Sequence, residues 1–406
     1  MALRTCAAAR SRTFALAALL LLACGTDESS AGFEPIDAFP NRRERFALPS
    51  DLGVVANNGS DGLTLLDLEA LAVVGSAPAG RDPVDLDGPH HVAVDRGRGV
   101  VFTALAYPTP TTVPGPHAAH GASQRPGQVL KLALEDFRPL GAVRTDTNPG
   151  DIVLSQDGRR LLVSHFDLLR ATRSPELEAQ RATLAILDPD LIRGDAAVAP
   201  RFVTTCVAPH GVALSRPAGE LAFVACYGED ALAIVDTSEG GAEPVLVSVG
   251  PGGTTGNPLY GPYSAVLSRD GRSVALGNTE SNDVRFLDVA TRSMLSTTLP
   301  CDGSPYFPAW SADDRRLFVP TQNPDALLVF ELGSDRPLRR RSFGRDECER
   351  PHEVTFSSDD STLFLVCEGD HVTNSVVLAL DPETLETLTS LPVGVYPDRL
   401  AVGSAL

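Results

Sequence analysis

A seven-bladed β-propeller of four-stranded blades, an all-β fold, is what this sequence predicts, and three observations predict it. A unit of proline, short apolar strand, polar turn and second strand recurs from residue 88, with prolines at Pro89, Pro149, Pro209, Pro262, Pro305, Pro351 and Pro397. Each unit has apolar runs for four short strands but cannot bury both faces of its sheet alone, so neighbours must stack radially. The last unit stops after its first strand, and the strands it lacks stand at the start of the chain.

Taken in order, the chain begins with Arg4, Arg10 and Arg12 ahead of an apolar run over 14–23 that ends at Leu21-Leu22-Ala23-Cys24. The run is short for a bilayer span, and a small residue sits at the cleavage point. Residues 1–23 resemble a bacterial lipoprotein signal peptide, which makes Cys24 the lipidated residue, although Leu22 stands where that pattern usually has a smaller side chain. An ordinary secretory signal is the other reading. Gly25, in place of an aspartate, fits a lipoprotein passed on to the outer membrane. Residues 24–49 lack apolar periodicity and read as a flexible tether.

The propeller is expected over 50–406. Short apolar runs at 53–56, 63–67 and 72–76 supply the outer strands of a blade whose inner strand is Tyr396-Pro397-Asp398-Arg399-Leu400-Ala401-Val402. Joining the two ends of the chain in one sheet removes an exposed edge. The fourth unit shows the pattern most plainly: an inner strand from Pro262, the turn Arg269-Asp270-Gly271-Arg272, a strand over 273–276, a loop over 278–283 and a strand over 284–288. An Asp-Gly turn between apolar runs is a strong hairpin signal.

Three features carry a family resemblance: Val55-Ala56-Asn57-Asn58-Gly59-Ser60-Asp61, Gly277-Asn278-Thr279-Glu280-Ser281-Asn282-Asp283-Val284, and the Ser-x-Asp turns opened by Ser155, Ser268, Ser311 and Ser357. With these the mature chain resembles the YVTN-repeat, YncE-like propellers. The resemblance implies a seven-bladed propeller in an exported protein, commonly without an enzymatic role. Propellers of this kind include binding proteins, surface proteins and sugar-lactone hydrolases or lyases, so fold does not fix function.

All eight histidines fall in connections predicted on one face. His90, His91, His210 and His352 open inner strands, His165 and His371 follow second strands, and His117 and His120 ride a long insertion over 107–127. A second insertion, over 166–183, is expected to open a short helix at Ser174-Pro175-Glu176-Leu177-Glu178. Both insertions exceed what a propeller needs. The residues after the seven prolines are His90, Gly150, His210, Tyr263, Tyr306, His352 and Asp398, one per blade at the mouth of the channel. Imidazoles spaced round a ring suit copper or zinc, and Tyr263, Tyr306 and Asp398 are candidates for ligand binding there. His90, His210 and His352 lead this set; His91, His117, His120, His165 and His371 come second. The competing reading has these side chains wedged between blades and bonded to backbone.

Cys206 and Cys226, and likewise Cys348 and Cys367, stand before an inner strand and at the end of the next, which in an oxidising compartment predicts an intra-blade disulfide in each of two blades. A mixed thiolate and imidazole site for copper or zinc is the alternative use of the same cysteines. Cys301 has no counterpart. Acidic loop residues Glu229, Asp230, Glu368 and Asp370 lie where they could assist a cation. No Cys-x-x-Cys-His occurs, so covalent haem is not expected.

The formal charge of −18 becomes about −21 once the signal arginines are removed, which argues against nucleic acid and anionic lipid. The expected molecule is an exported monomer, lipid-anchored on the periplasmic side of the envelope or at the outer membrane and touching membrane only through its N-terminal lipid. Its partner is a small ligand or a periplasmic or surface protein. Two other uses of the histidine face are a metal-assisted lyase or lactonase and a protein-interaction scaffold.

Overall fold

A computed structural model of the chain describes residues 43–80, 84–111, 116–194, 198–253 and 255–404. Seven antiparallel sheets form the ring, each running from an inner strand at the channel to an outer strand at the rim. Blade one is Pro89–Asp95, Val100–Leu105, Pro126–Ala133 and Pro139–Thr147, and the order repeats to blade six, Pro351–Phe356, Leu363–Cys367, Asn374–Leu380 and Thr387–Val395. Pro397–Ser404 then pairs with Asp51–Asn57, placing Val54 opposite Ala401, and Gly62–Asp67 and Ala72–Pro78 complete that sheet. The signal segment and Cys24 lie outside the described residues.

The period of two along each strand explains why the blades stack. In the closing blade, Leu52, Val54, Leu63 and Leu65 pack against Val92, Val101 and Leu130 of blade one. Val55 and Leu66, of opposite parity, pack against Phe364, Val366 and Val377 of blade six. Each large side chain buried this way contributes about 1.5–3 kcal/mol, so blade faces outweigh any single hydrogen bond. The Ser-x-Asp turns are built alike: Ser155, Ser268, Ser311 and Ser357 donate through Oγ to Asp157, Asp270, Asp313 and Asp359, each at 2.7 Å.

Two expectations about strand and tether need correction. The inner strand of blade five is split into Ser304–Pro305 and Ala309–Trp310. Pro308 has no N–H to give the ladder, and Phe307 pairs with blade six instead: its N–H donates to the His352 carbonyl at 3.0 Å, and the Val354 N–H donates to the Phe307 carbonyl at 3.1 Å. The tether does not run free to residue 49. Phe46 packs on Phe137 with ring centroids 5.1 Å apart, and its N–H donates to the Glu135 carbonyl at 2.6 Å. The second insertion carries the expected short helix, Leu177–Gln180, and another before it, Leu168–Arg173, capped by Asp167.

The cysteines pair as expected, with Cα atoms 5.8 Å apart for Cys206 and Cys226 and 5.2 Å apart for Cys348 and Cys367. Neither link is confined to one blade's sheet. Cys206 belongs to Arg201–Val207, the outer strand of blade two, whereas Cys226 ends the second strand of blade three. Cys348 ends a short helix, Arg345–Cys348, between blades five and six. The residues just before an inner strand still follow the preceding blade, so the first bond staples neighbours. With those four thiols consumed, the mixed thiolate site built on them is excluded. Cys301 is a free thiol whose pKa is pushed up by burial.

Candidate metal centre

A repeated backbone device brings the side chains to the channel mouth. In six blades the residue before the proline is left-handed: Gly88, Asn148, Ala208, Gly261, Arg350 and Tyr396. Its carbonyl accepts from the residue that follows the second strand, as in Ala106 to Gly88 at 2.9 Å and Glu368 to Arg350 at 3.1 Å. The start of the inner strand and the end of the second strand are thereby tied together at one face. That bond is why Glu368 sits beside His352.

Blade one adds a further distortion. The pairing of Pro89–Asp95 with Val100–Leu105 shifts register between His90 and Val92, and His91 takes a left-handed φ of 56°. In a regular strand two successive side chains point to opposite faces; the bulge turns both imidazoles into the hub, at a backbone cost of about 1–2 kcal/mol. Their ring centroids are 4.3 Å apart.

Six of the eight histidines converge. His90 lies 4.3 Å from His120 and 5.8 Å from His210, and His117 lies 4.8 Å from His352, all between ring centroids. His117 and His120 are delivered by the first insertion, which the Asn148 side chain holds by two bonds to Ser123, at 2.7 and 3.0 Å. The two insertions meet at Gly121, where an added Cβ would come 2.8 Å from the Phe166 carbonyl. Phe307 forms an apolar floor, 5.3 Å from His91 and 5.4 Å from His352.

Outer contacts fix most of the rings. The Nδ1–H of His90 donates to the Pro149 carbonyl at 3.0 Å, that of His352 to the Asp398 carbonyl at 2.6 Å, and that of His91 to Asp151 at 2.8 Å. His117 Nδ1 bonds the Tyr263 hydroxyl at 2.7 Å. The wedged-side-chain reading is therefore half right, since one nitrogen of His90 and of His352 does bond the next blade's backbone. Their Nε2 atoms remain buried without a hydrogen-bond partner, as do those of His91 and His117, both nitrogens of His120 and His210, and both carboxylate oxygens of Asp398. His117 Nε2 also approaches Glu368 Oε1 to 2.7 Å.

Burial keeps five of the imidazoles in their ligand form. Burial, opposed by the Pro149 hydrogen bond, lowers the His90 pKa to about 3, and burial does the same to His352. Burial also holds His91, His120 and His210 well below the usual histidine range. Glu368 is stabilised as a carboxylate: burial opposes its charge, but His117 and His352 outweigh it, and His371 Nε2 donates to it at 2.9 Å. Asp398 is pushed far up by burial and by Glu368. Three groups have ligand atoms all within 4.8 Å of one another: His90, His91 and His210; His117, His352 and Glu368; and His90, His117, His120 and Asp398. Imidazoles with a carboxylate, most of them held by outer hydrogen bonds, make a donor set for a transition metal.

Not every predicted residue joins. His165 bonds the Thr183 carbonyl at 2.8 Å and faces Phe202, outside the cluster. His371 stacks on Tyr396 at 3.5 Å and acts through Glu368. Tyr263 stacks on His210 at 3.9 Å and Tyr306 lies 5.1 Å from His352, so both wall the site. Of the acidic loop residues only Glu368 reaches it; Glu229 pairs with Arg181, Asp230 accepts backbone N–H groups of residues 259–261, and Asp370 accepts those of Val372 and Thr373. Asp151, two residues after Pro149, was not singled out by the sequence. Its signal was its position, equivalent to His91 in the next blade.

No family model matches this chain, and no curated protein matches it. Solved structures do. A functionally unknown protein from Desulfotomaculum acetoxidans aligns over 87% of this chain and 99% of its own, with a TM-score of 0.64 and 11% identity. The periplasmic gluconolactonase of Pseudomonas aeruginosa aligns over the same shares with a TM-score of 0.61 and 19% identity. The dihydro-heme d1 dehydrogenase NirN aligns over 90% of this chain and 78% of its own, with a TM-score of 0.57 and 16% identity. At these identities the likeness is one of fold, the seven-bladed propeller.

Proposed function

We propose that this chain is an exported, lipid-anchored propeller that binds a transition metal, copper or zinc, at the histidine-lined mouth of its channel. The observation that carries this reading is the set of buried, unpartnered nitrogens on His90, His91, His120, His210 and His352, together with the unpartnered Asp398 carboxyl. Leaving a buried polar group unsatisfied costs about 1–3 kcal/mol, so this many would consume a stability of about 5–15 kcal/mol. A bound cation removes that cost by accepting the lone pairs.

Export is supported by two disulfides, which persist in oxidising compartments. Lipidation at Cys24 is tested by mass spectrometry of the N-terminal peptide. Lactone chemistry at the same metal is the second reading, favoured by the shared fold of the periplasmic gluconolactonase. It requires the mouth to open, because His90, His120, His210, Tyr263 and Asp398 are 0% exposed. Turnover of a lactone panel tests it. Metal analysis of the purified protein, with His210→Ala and His352→Ala, tests the main reading. Stoichiometric metal reduced in both variants is expected; a metal-free protein with no affinity for copper or zinc, and no metal-dependent turnover, leaves a scaffold role.

A further inference from the structure

We infer that the centre holds two metal ions side by side, in three-ligand sets that share no residue: His90, His91 and His210 for one ion, and His117, His352 and Glu368 for the other. This inference rests on the metal-binding reading above. Within each set the ligand atoms lie within 4.8 Å of one another.

Donor number is the first reason. Six imidazoles, the Glu368 carboxylate and the Asp398 carboxyl converge, whereas a zinc ion takes about four ligands and an octahedral ion about six. One ion would leave buried donors unsatisfied. Two ions use both sets and draw on the remaining pair, His120 and Asp398, which group with His90 of the first set and His117 of the second. A ligand between the sets is what a bridging residue requires, and paired catalytic ions stand about 3.5–4 Å apart.

The outer contacts divide in the same way. The first set is oriented by the Pro149 carbonyl on His90 and by Asp151 on His91, with Arg399 bonded to Asp151 at 3.0 Å. The second is oriented by Tyr263 on His117, the Asp398 carbonyl on His352, and Gln322 and His371 on Glu368 at 3.2 and 2.9 Å. The 2.7 Å approach of His117 Nε2 to Glu368 Oε1 brings two donor atoms of the second set together at one point. The first set is all imidazole and the second carries a carboxylate charge, so the two ions occupy sites of unequal affinity.

The protein is stripped with chelator, loaded with zinc alone, desalted and assayed for metal per chain. Two zinc ions are expected in the wild type and one each in His210→Ala and Glu368→Gln. One ion in the wild type, lost from both variants, overturns the two-ion inference and keeps the metal site; no ion overturns both. Because His210→Ala opens space in a packed hub, a second measurement needs no variant. Copper(II)-loaded wild type should give spin-coupled resonance, with a spin count well below the bound copper, and a full count of isolated copper overturns the inference.

Discussion

Asp151→Asn isolates the effect of orientation, because Asp151 does not face the proposed metal site but holds His91, which does. The fully buried carboxylate accepts from the Nδ1–H of His91 at 2.8 Å, the Val212 N–H at 3.0 Å and Arg399 at 3.0 Å. An amide offers one acceptor oxygen to these donors and turns its own N–H₂ toward one of them. Loss of a carboxylate behind a ligating histidine typically lowers metal affinity by about 10–100-fold, or roughly 1.4–2.7 kcal/mol. Arg399 keeps only Glu353 as a charged partner, at 3.4 Å, and breaking a buried pair costs about 3–5 kcal/mol of folding stability. The two effects separate experimentally, by chelator-competition titration with zinc and by urea unfolding of the metal-free protein. The expected result is unchanged stoichiometry, weaker affinity and an earlier unfolding midpoint. A variant that is folded and destabilised but binds zinc as tightly as wild type refutes the orienting role.

Four further outcomes follow from the same geometry. Metal-free protein should lose stability as pH falls from 6.5 toward 3, because the unfolded state takes up protons on His90 and His352 that the folded state, with pKa values near 3, refuses; urea unfolding at stepped pH checks this, and a flat profile contradicts it. Thiol counting on the denatured, unreduced mature protein should report Cys301 alone. Replacing Cys206 and Cys226 together with serine should cost about 2–4 kcal/mol in denaturant unfolding, since the bond closes a loop of sequence separation 20. His165→Ala should leave metal content at the wild-type value, because its ring bonds Thr183 outside the cluster; loss of metal there would contradict the boundary drawn for the site.

The ring of blades was legible because strand period, turn chemistry and the proline repeat are local, and each survives folding unchanged. The equivalence of His90, His210, Tyr263, Tyr306, His352 and Asp398 was legible for the same reason: one repeat position maps to one place at the mouth. What depended on distortion was not. His91 shares a strand with His90 and by parity belongs on the other face; a left-handed residue in a bulge overrides that, and no propensity marks it. Asp151 enters through a bond to His91 of the neighbouring blade, and Glu368, one of four acidic loop residues the sequence offered, is set apart from the other three by its approach to His117 of blade one, both at separations no local pattern spans. The stapling of blades by Cys206 was misplaced because the repeat boundary at Pro209 is not the boundary of hydrogen bonding. His165 shows the converse, a residue on the right face by topology that packs away from the hub.

Anomalous diffraction from crystals soaked in zinc is the most direct test of the central claim. Peaks at the channel mouth about 2.0–2.1 Å from Nε2 of His90, His91, His117 and His352 are predicted. Peaks confined to surface carboxylates, with the six imidazoles bare, would contradict it.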